Sequence, residues 1–299
     1  MKKSKILKLP LIGRLAVVFD RQGSATHMGG LVFKTNVHAK VFDKDGNERK
    51  IKDYFGSNRL QRLWHGILYR NQTDLDLGSG LVTNVGVLAL ANEAVTLASP
   101  SGARINTLFL SNQHITGTGV TAAAATDIKI QTISTQGGQT AVAGTQTLVS
   151  AANSQQYRTV ATIPYTGTEA VTEWALLTSP TVSAATGSPF TAGTATTGTV
   201  TATPLTASTS TVQGNQQTIF ERTSGTNLSW GLVVSNTTSV VTVPAWYLVS
   251  TGAAGQAPAN TETYVIRPVM WDHKVFSAIN VVNGDSIQFT YTLTISSGG

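Results

Sequence analysis

KVFSAINVVNGDSIQFTYTLTI, residues Lys274 to Ile295, contains two strand-like runs separated by Asn283-Gly284. In the second run Ile287, Phe289, Tyr291, Leu293 and Ile295 alternate with Gln288, Thr290, Thr292 and Thr294. Side chains of a strand point alternately to opposite faces, so this parity puts the apolar set on a core face and the threonines on a solvent or partner face. Asn-Gly is the favoured pair of a type I′ turn. The stretch is therefore read as a hairpin whose last strand lies within a sheet, followed by the short tail Ser296 to Gly299.

Working outward, the composition favours the same class. Charged residues are only 12% of the 299, while Thr, Ser, Ala, Gly, Asn and Gln are abundant. A helical surface normally carries Glu, Lys and Arg, whereas Thr and Val favour strands and Gly, Asn and Ser favour turns. Further short strands are expected at Val87 to Leu97, Ile105 to Leu110, Ile128 to Ile133, Tyr157 to Tyr165 and Val171 to Leu177. Strands at this spacing predict a mainly β fold, an antiparallel β-sandwich or barrel-like body. Trp174 to Phe220 holds no Asp, Glu, Lys, Arg or His. The recurrence of Val182, Phe190, Val200, Leu205 and Val212 favours short extended strands there over a disordered linker.

Charge divides the chain. Met1 to Thr73 carries 15 Lys and Arg against 5 Asp and Glu, a balance of +10, and the rest carries a balance of −4 within a total of +6. Such asymmetry points to an acidic partner for the basic end, an acidic protein surface or nucleic acid, against the plainer reading of a solvated face. Leu31 to Asp43 alternates, meets a turn at Asp45-Gly46-Asn47 and continues through Arg49 to Phe55, which predicts a hairpin. Asn58 to Arg70, with Leu60, Leu63, Trp64, Ile67 and Leu68 at helical spacing and Ser57 or Asn58 as cap, predicts one short amphipathic helix. The expected organisation is a basic docking segment over 1–77, with hairpin and helix, and a β body over 78–299 with a Thr/Ala/Gly-rich insertion at about 178–270. Lys2, Lys3, Lys5, Arg59, Arg62 and Arg70 are the candidate docking residues.

Catalytic chemistry finds little support. No cysteine is present, which excludes a disulfide framework and a thiolate metal site. His27, His38, His65, His114 and His273 show no ligand spacing, and each is read as a surface or packing residue. Asp43, Asp45 and Glu48 around Gly46 lack the downstream Glu of a calcium loop and fit a turn better. Gly117 to Ala122 formally matches G-x-G-x-x-A, but no helix follows to present its amino end to a pyrophosphate. No catalytic residue, metal or cofactor is therefore expected. The basic opening is interrupted by Lys8, Pro10 and Arg14, so neither a signal peptide nor a membrane span is expected.

Three blocks carry a resemblance: Gly117 to Lys129 (GTGVTAAAATDIK), Tyr157 to Leu177 (YRTVATIPYTGTEAVTEWALL) and Val275 to Ile295. In this order they resemble a group of small structural proteins of tailed-bacteriophage particles. The resemblance covers roughly Ile105 to Leu177 and Val275 to Gly299, the stretch between being an insertion. It implies a non-enzymatic virion component with a sandwich-like body, assembled in the bacterial cytoplasm and contacting copies of itself and other virion proteins. The first expectation is a capsid decoration or cement protein bridging major capsid subunits. The second is a tail component, either a tube subunit or a fibre or collar protein. A receptor-binding module, with Trp174, Trp230, Trp246 and Trp271 stacking sugars, is third. Direct nucleic-acid contact through the basic leader is the lesser reading of the charge.

Overall fold

The alternating run at the C-terminal end becomes β19 (Ser286–Ser297), paired along its length on both sides. Its neighbours are β2 (Leu31–Phe42) and β8 (Ser154–Pro164), both antiparallel to it. Beyond β8 lies β7 (Thr145–Ala151), and beyond β2 lie β1 (Val18–Phe19) and β3 (Asp74–Gly78). The computed structural model describes residues 18–19, 31–56, 61, 68, 71–96, 110–137, 140–151, 154–179, 189–201 and 218–297. Ile287, Phe289, Tyr291 and Leu293 are wholly buried, as their parity requires. A second sheet runs in the order β4 (Leu81–Val82), β18 (Met270–Val281), β9 (Glu169–Leu177), β5 (Gln113–Gly117) and β6 (Val142–Ala143). The two sheets share one core, in which Trp174 of the second stacks on Phe289 and Tyr291 of the first at 6.2 and 5.8 Å between ring centres. The protein is mainly β, with a sandwich-like body.

The Asn283-Gly284 turn does not close a hairpin. β18 and β19 belong to different sheets, and the chain crosses the sandwich between them. Gly284 has φ +89° and Asn283 does not share the positive φ, while the Asp285 N–H donates to the Val282 carbonyl at 3.0 Å. That is the pattern of a type II turn, whereas type I′ needs positive φ at both central residues to match the twist of a paired hairpin. A second crossing, between β8 and β9, lies beside it. Tyr165 donates to the Asp285 carbonyl at 2.9 Å, and Gly284 donates to the Tyr165 carbonyl at 3.0 Å. The two crossings brace each other, and Arg49 ion-pairs with Asp285 at the same point.

Two strands of the expected docking segment pair into the first sheet of the body. β2 forms twelve residue pairs with β19, and Val37, Ala39 and Val41 are wholly buried. β2 and β3, inside the expected docking segment, are thus strands of the first sheet, and Ile51 and Tyr54 add to its core. The expected hairpin shrinks to one bridge, Phe42 with Glu48, after which Ile51–Tyr54 forms a one-turn helix, α1, buried through Ile51 and Tyr54. β19 takes one edge of β2, and β3 takes the other edge at Val37 to Lys40, where a local return strand would have paired. Of the expected helix Asn58 to Arg70, only Gln61 and Leu68 lie among the described residues. Both are helical, and Leu68 is 63% exposed, so it does not serve the packing stripe assigned to it. Lys2, Lys3, Lys5, Arg59, Arg62 and Arg70 lie outside the described residues, as do Ile105 to Phe109.

Two further expectations are overturned. Val87 to Leu97 is not a strand. Its described residues, Val87 to Thr96, fall in a helix, α2 (Asn84–Thr96). Thr83 caps it, its hydroxyl accepting the Gly86 N–H at 3.1 Å while its carbonyl accepts the Val87 N–H at 3.0 Å. The run is apolar nearly all round, so periodicity is silent, and its Ala and Leu content favours the helix. Ile128 to Ile133 runs as coil and bends with a single bridge from Ile133 to Gly117, although Ile128 and Ile130 are buried.

The Thr-rich insertion is folded where described. One small sheet contains β10 (Phe190–Thr194), β11 (Thr197–Val200), β15 (Val240–Thr242) and β14 (Ser235–Asn236) in that order. The other contains β16 (Tyr247–Leu248), β13 (Ser229–Leu232), β12 (Thr218–Arg222) and β17 (Tyr264–Pro268). Between them Phe190, Phe220, Trp246 and Tyr264 form an aromatic core of their own. Phe190 and Val200 lie on strands as expected, while Val182, Leu205 and Val212 are outside the described residues. A further apolar cluster joins this module to the body, with α2 residues Val85 and Ala89 packed near Trp230, Leu232 and Met270.

Candidate functional site

The polar residues that converge lie under the glycine segment at the end of β5. In the second sheet Glu173 pairs with Gly117 on one side and Val275 on the other, and its side chain is fully buried. A bare carboxylate there would be very costly, so the chain surrounds it with donors. Glu173 Oε2 accepts the N–H groups of Gly119 and Thr132 at 3.1 and 3.2 Å. Oε1 accepts the Gln131 N–H at 2.6 Å and His273 Nε2 at 2.8 Å. The other ring nitrogen, Nδ1 of His273, lies 2.8 Å from Asp127, which also accepts the Ala124 N–H at 2.7 Å. Burial alone would lower the His273 pKa. The hydrogen bonds and charges of Asp127 and Glu173 outweigh it and push it up to about 9.

This geometry explains both glycines. A Cβ at Gly119 would lie 2.4 Å from Glu173 Oε2, and one at Gly117 would lie 2.2 Å from the Thr132 carbonyl oxygen and 2.7 Å from Glu173 Oε2. Neither glycine has a positive φ, so space rather than conformation demands them. Thr172 donates to the Gly119 carbonyl at 2.8 Å, and the Gln131 amide closes the loop on both backbone groups of Thr121. The G-x-G segment wraps a carboxylate supplied by the protein itself. Above it lies an open cleft of about 390 Å³ bordered by Thr118, Val120, Thr121 and Asp127 among others.

Two more buried titratable groups flank Trp174 and Trp271. His114 is enclosed: Trp174 Nε1 donates to its Nδ1 at 3.2 Å, so the proton sits on Nε2 and faces Thr159 Oγ1 at 3.1 Å. Burial lowers its pKa to about 3. Asp272 precedes His273 but points to the other face, where a Cβ on Gly80 would come within 2.0 Å of its Oδ1. No well-formed hydrogen bond reaches either oxygen. Burial raises its carboxyl to about 7, against the smaller opposing pull of the His273 N–H, the Tyr291 hydroxyl and the nearby cations.

Chemically, these groups hold the protein together. A His273 imidazolium that gives both N–H groups to carboxylates has no lone pair with which to take a proton from a substrate. Its two carboxylates sit on opposite sides of the ring, and no metal-binding group of His, Asp and Glu occurs among the described residues. Glu221, also buried, joins the insertion to this region through Lys129 at 2.7 Å and also pairs with Arg267 of the neighbouring strand β17. The Asp43 turn is closed by its own carboxylate, which accepts the N–H groups of Asp45 and Asn47, both at 2.9 Å. Trp174, Trp230, Trp246 and Trp271 are all buried, which removes them as sugar-stacking platforms.

Sequence reasoning missed Asp127, Glu173 and His273 as a group. One signal was available: Glu173 shares strand parity with Ala175 and Leu177, marking a carboxylate on an apolar face. No helix among the described residues is long and apolar enough to cross a membrane. Comparison of the chain with protein-family models, with curated proteins and with solved structures gives no match.

Proposed function

We propose that this chain is a structural, non-enzymatic protein of a tailed-bacteriophage particle, and within that class a capsid decoration or cement protein bridging major capsid subunits. One observation carries the reading. The three blocks that resemble phage structural proteins, far apart in sequence, meet around Glu173 and Trp174. Gly119 caps Glu173, Val275 pairs with it, and Phe289 and Tyr291 stack on Trp174. That convergence supports reading the blocks as a fold kernel. The low charge of the body suits a protein that works through many weak, neutral contacts, and such contacts gain strength when repeated on a lattice. The basic N-terminal segment, with Lys2, Lys3, Lys5, Arg59, Arg62 and Arg70, supplies the complementary charge for an acidic capsid surface.

Antibody raised against the isolated protein, applied to intact particles and imaged by electron microscopy, tests the assignment. Label over the head surface is expected. Label along the tail would replace the decoration reading with the tail component, and absence from purified particles would refute the virion reading altogether. Saturable micromolar binding of NAD or ATP, lost on changing Gly117 or Gly119, would overturn the non-enzymatic part.

A further inference from the structure

An unpaired strand edge offers its N–H and C=O groups to any extended chain, and β proteins guard such edges with charge, proline, bulges or shortness. Among the described residues nearly every sheet edge is guarded. β1, β4, β6, β14 and β16 are two residues long. β3 carries Asp74 and Asp76, and β17 carries Arg267 and ends at Pro268. β10 is broken by a bulge between Phe190 and Ala192, and Pro258 lies against its Gly193. β7 is the exception. Its seven residues, TQTLVSA, hold no charge and no proline, among the described residues β8 is its one strand partner, and its middle residue Leu148 is 73% exposed.

We propose that β7 is a docking edge for β7 of a second copy of this chain, paired antiparallel about a two-fold axis through Leu148. The strand itself identifies the occupant. In that register Leu148 meets Leu148 of the second copy, Thr147 meets Val149 and Thr145 meets Ala151, so no position sets like charges together. Opposed side chains of an antiparallel pair lie on the same face, so the two leucines cover each other beside Tyr157, the partner of Leu148 across β8. A charged edge would select a partner of opposite charge, whereas this neutral edge complements itself. Seven residues bury less than the roughly 1,200 Å² of a standard stable complex. Pairing is therefore weak in solution and effective where copies already stand side by side. The inference does not rest on the virion reading, because self-association is measured on the isolated chain and particle location is measured separately.

Sedimentation equilibrium from about 1 µM to about 1 mM spans the affinities expected of so small an interface. The mean mass of the wild type is expected to climb from 31.4 kDa toward twice that value. Leu148→Lys and Leu148→Glu, each keeping the wild-type circular dichroism, are expected to weaken association by about tenfold or more, and their equimolar mixture to restore it. The chain has no cysteine, so Leu148→Cys is expected to yield a disulfide-linked dimer on mild oxidation while Thr145→Cys, opposite Ala151, does not. A wild type that stays at the monomer mass, a Leu148→Lys variant that associates like wild type, a mixture that remains monomeric, or equal cross-linking at both cysteine positions would overturn the proposal.

Discussion

Asp272→Asn is expected to make the protein more stable at neutral and alkaline pH, and the gain should itself depend on pH. The Asp272 carboxyl is fully buried and its pKa is raised from an ordinary 3.8 to about 7. Between those values the folded state holds a proton that the unfolded chain releases, so stability falls as pH rises through this window and stays low above it. Three units at 1.36 kcal/mol each amount to about 4 kcal/mol. Asn has nearly the same shape and no charge. The variant should therefore differ little in pH dependence below pH 4, gain steadily to pH 7, and hold an advantage of about 4 kcal/mol beyond. The wild-type profile alone would hide the effect. His114 is held neutral with its pKa lowered to about 3, so it removes stability as pH falls through 6.5, opposing Asp272 over much of the same range. Urea melts of both proteins at intervals from pH 4 to pH 8.5 isolate the difference, because His114 is common to both. Stability curves that run parallel across that range would refute the account of Asp272 as a buried, poorly partnered carboxyl.

Other substitutions probe the kernel. Glu173→Gln removes the charge that three backbone N–H groups and His273 face, and is expected to cost roughly 3 to 5 kcal/mol in the urea midpoint, as for a broken buried ion pair; a change under 1 kcal/mol would mean the loop finds other acceptors. Gly119→Ala drives a methyl to within 2.4 Å of Glu173 Oε2 and is expected to cost about 1 to 3 kcal/mol in the same melts, without any change in nucleotide binding. Phe289→Ala should cost roughly 3 to 5 kcal/mol and Thr290→Ala far less, because adjacent residues of β19 face the core and the outside; equal effects would place β19 at the periphery. With His273 raised to about 9, the stability from its ion pairs is complete below pH 6.5 and is lost as pH rises from 6.5 through 9, so His273→Gln should flatten that loss in thermal melts.

What the sequence determined by itself was parity and composition. Ile287, Phe289, Tyr291 and Leu293 had to share a buried face, and a low-charge, Thr-rich chain had to be mainly β, because strand geometry is local and side-chain direction has a period of two. Tertiary structure decided which strands pair. Asn283-Gly284 is compatible with type I′ and type II turns alike, and Asp285, Arg49 and the neighbouring Tyr165 crossing select the one that sends β18 and β19 to opposite sheets. Leu31–Phe42 read as half of a local hairpin, yet its two edges are taken by β19, the last strand, and by β3, and the pairing buries Val37, Ala39 and Val41 in the core. Asn84–Thr96 carried too uniform an apolar run for either period to show, and the Thr83 cap with packing beside Trp271 made it a helix. The Asp127, His273 and Glu173 cluster was illegible for the same reason as the strand pairing. Its members are separated by up to 146 residues, and only the sheet register and the loop folded over β5 and β9 bring them within hydrogen-bonding distance.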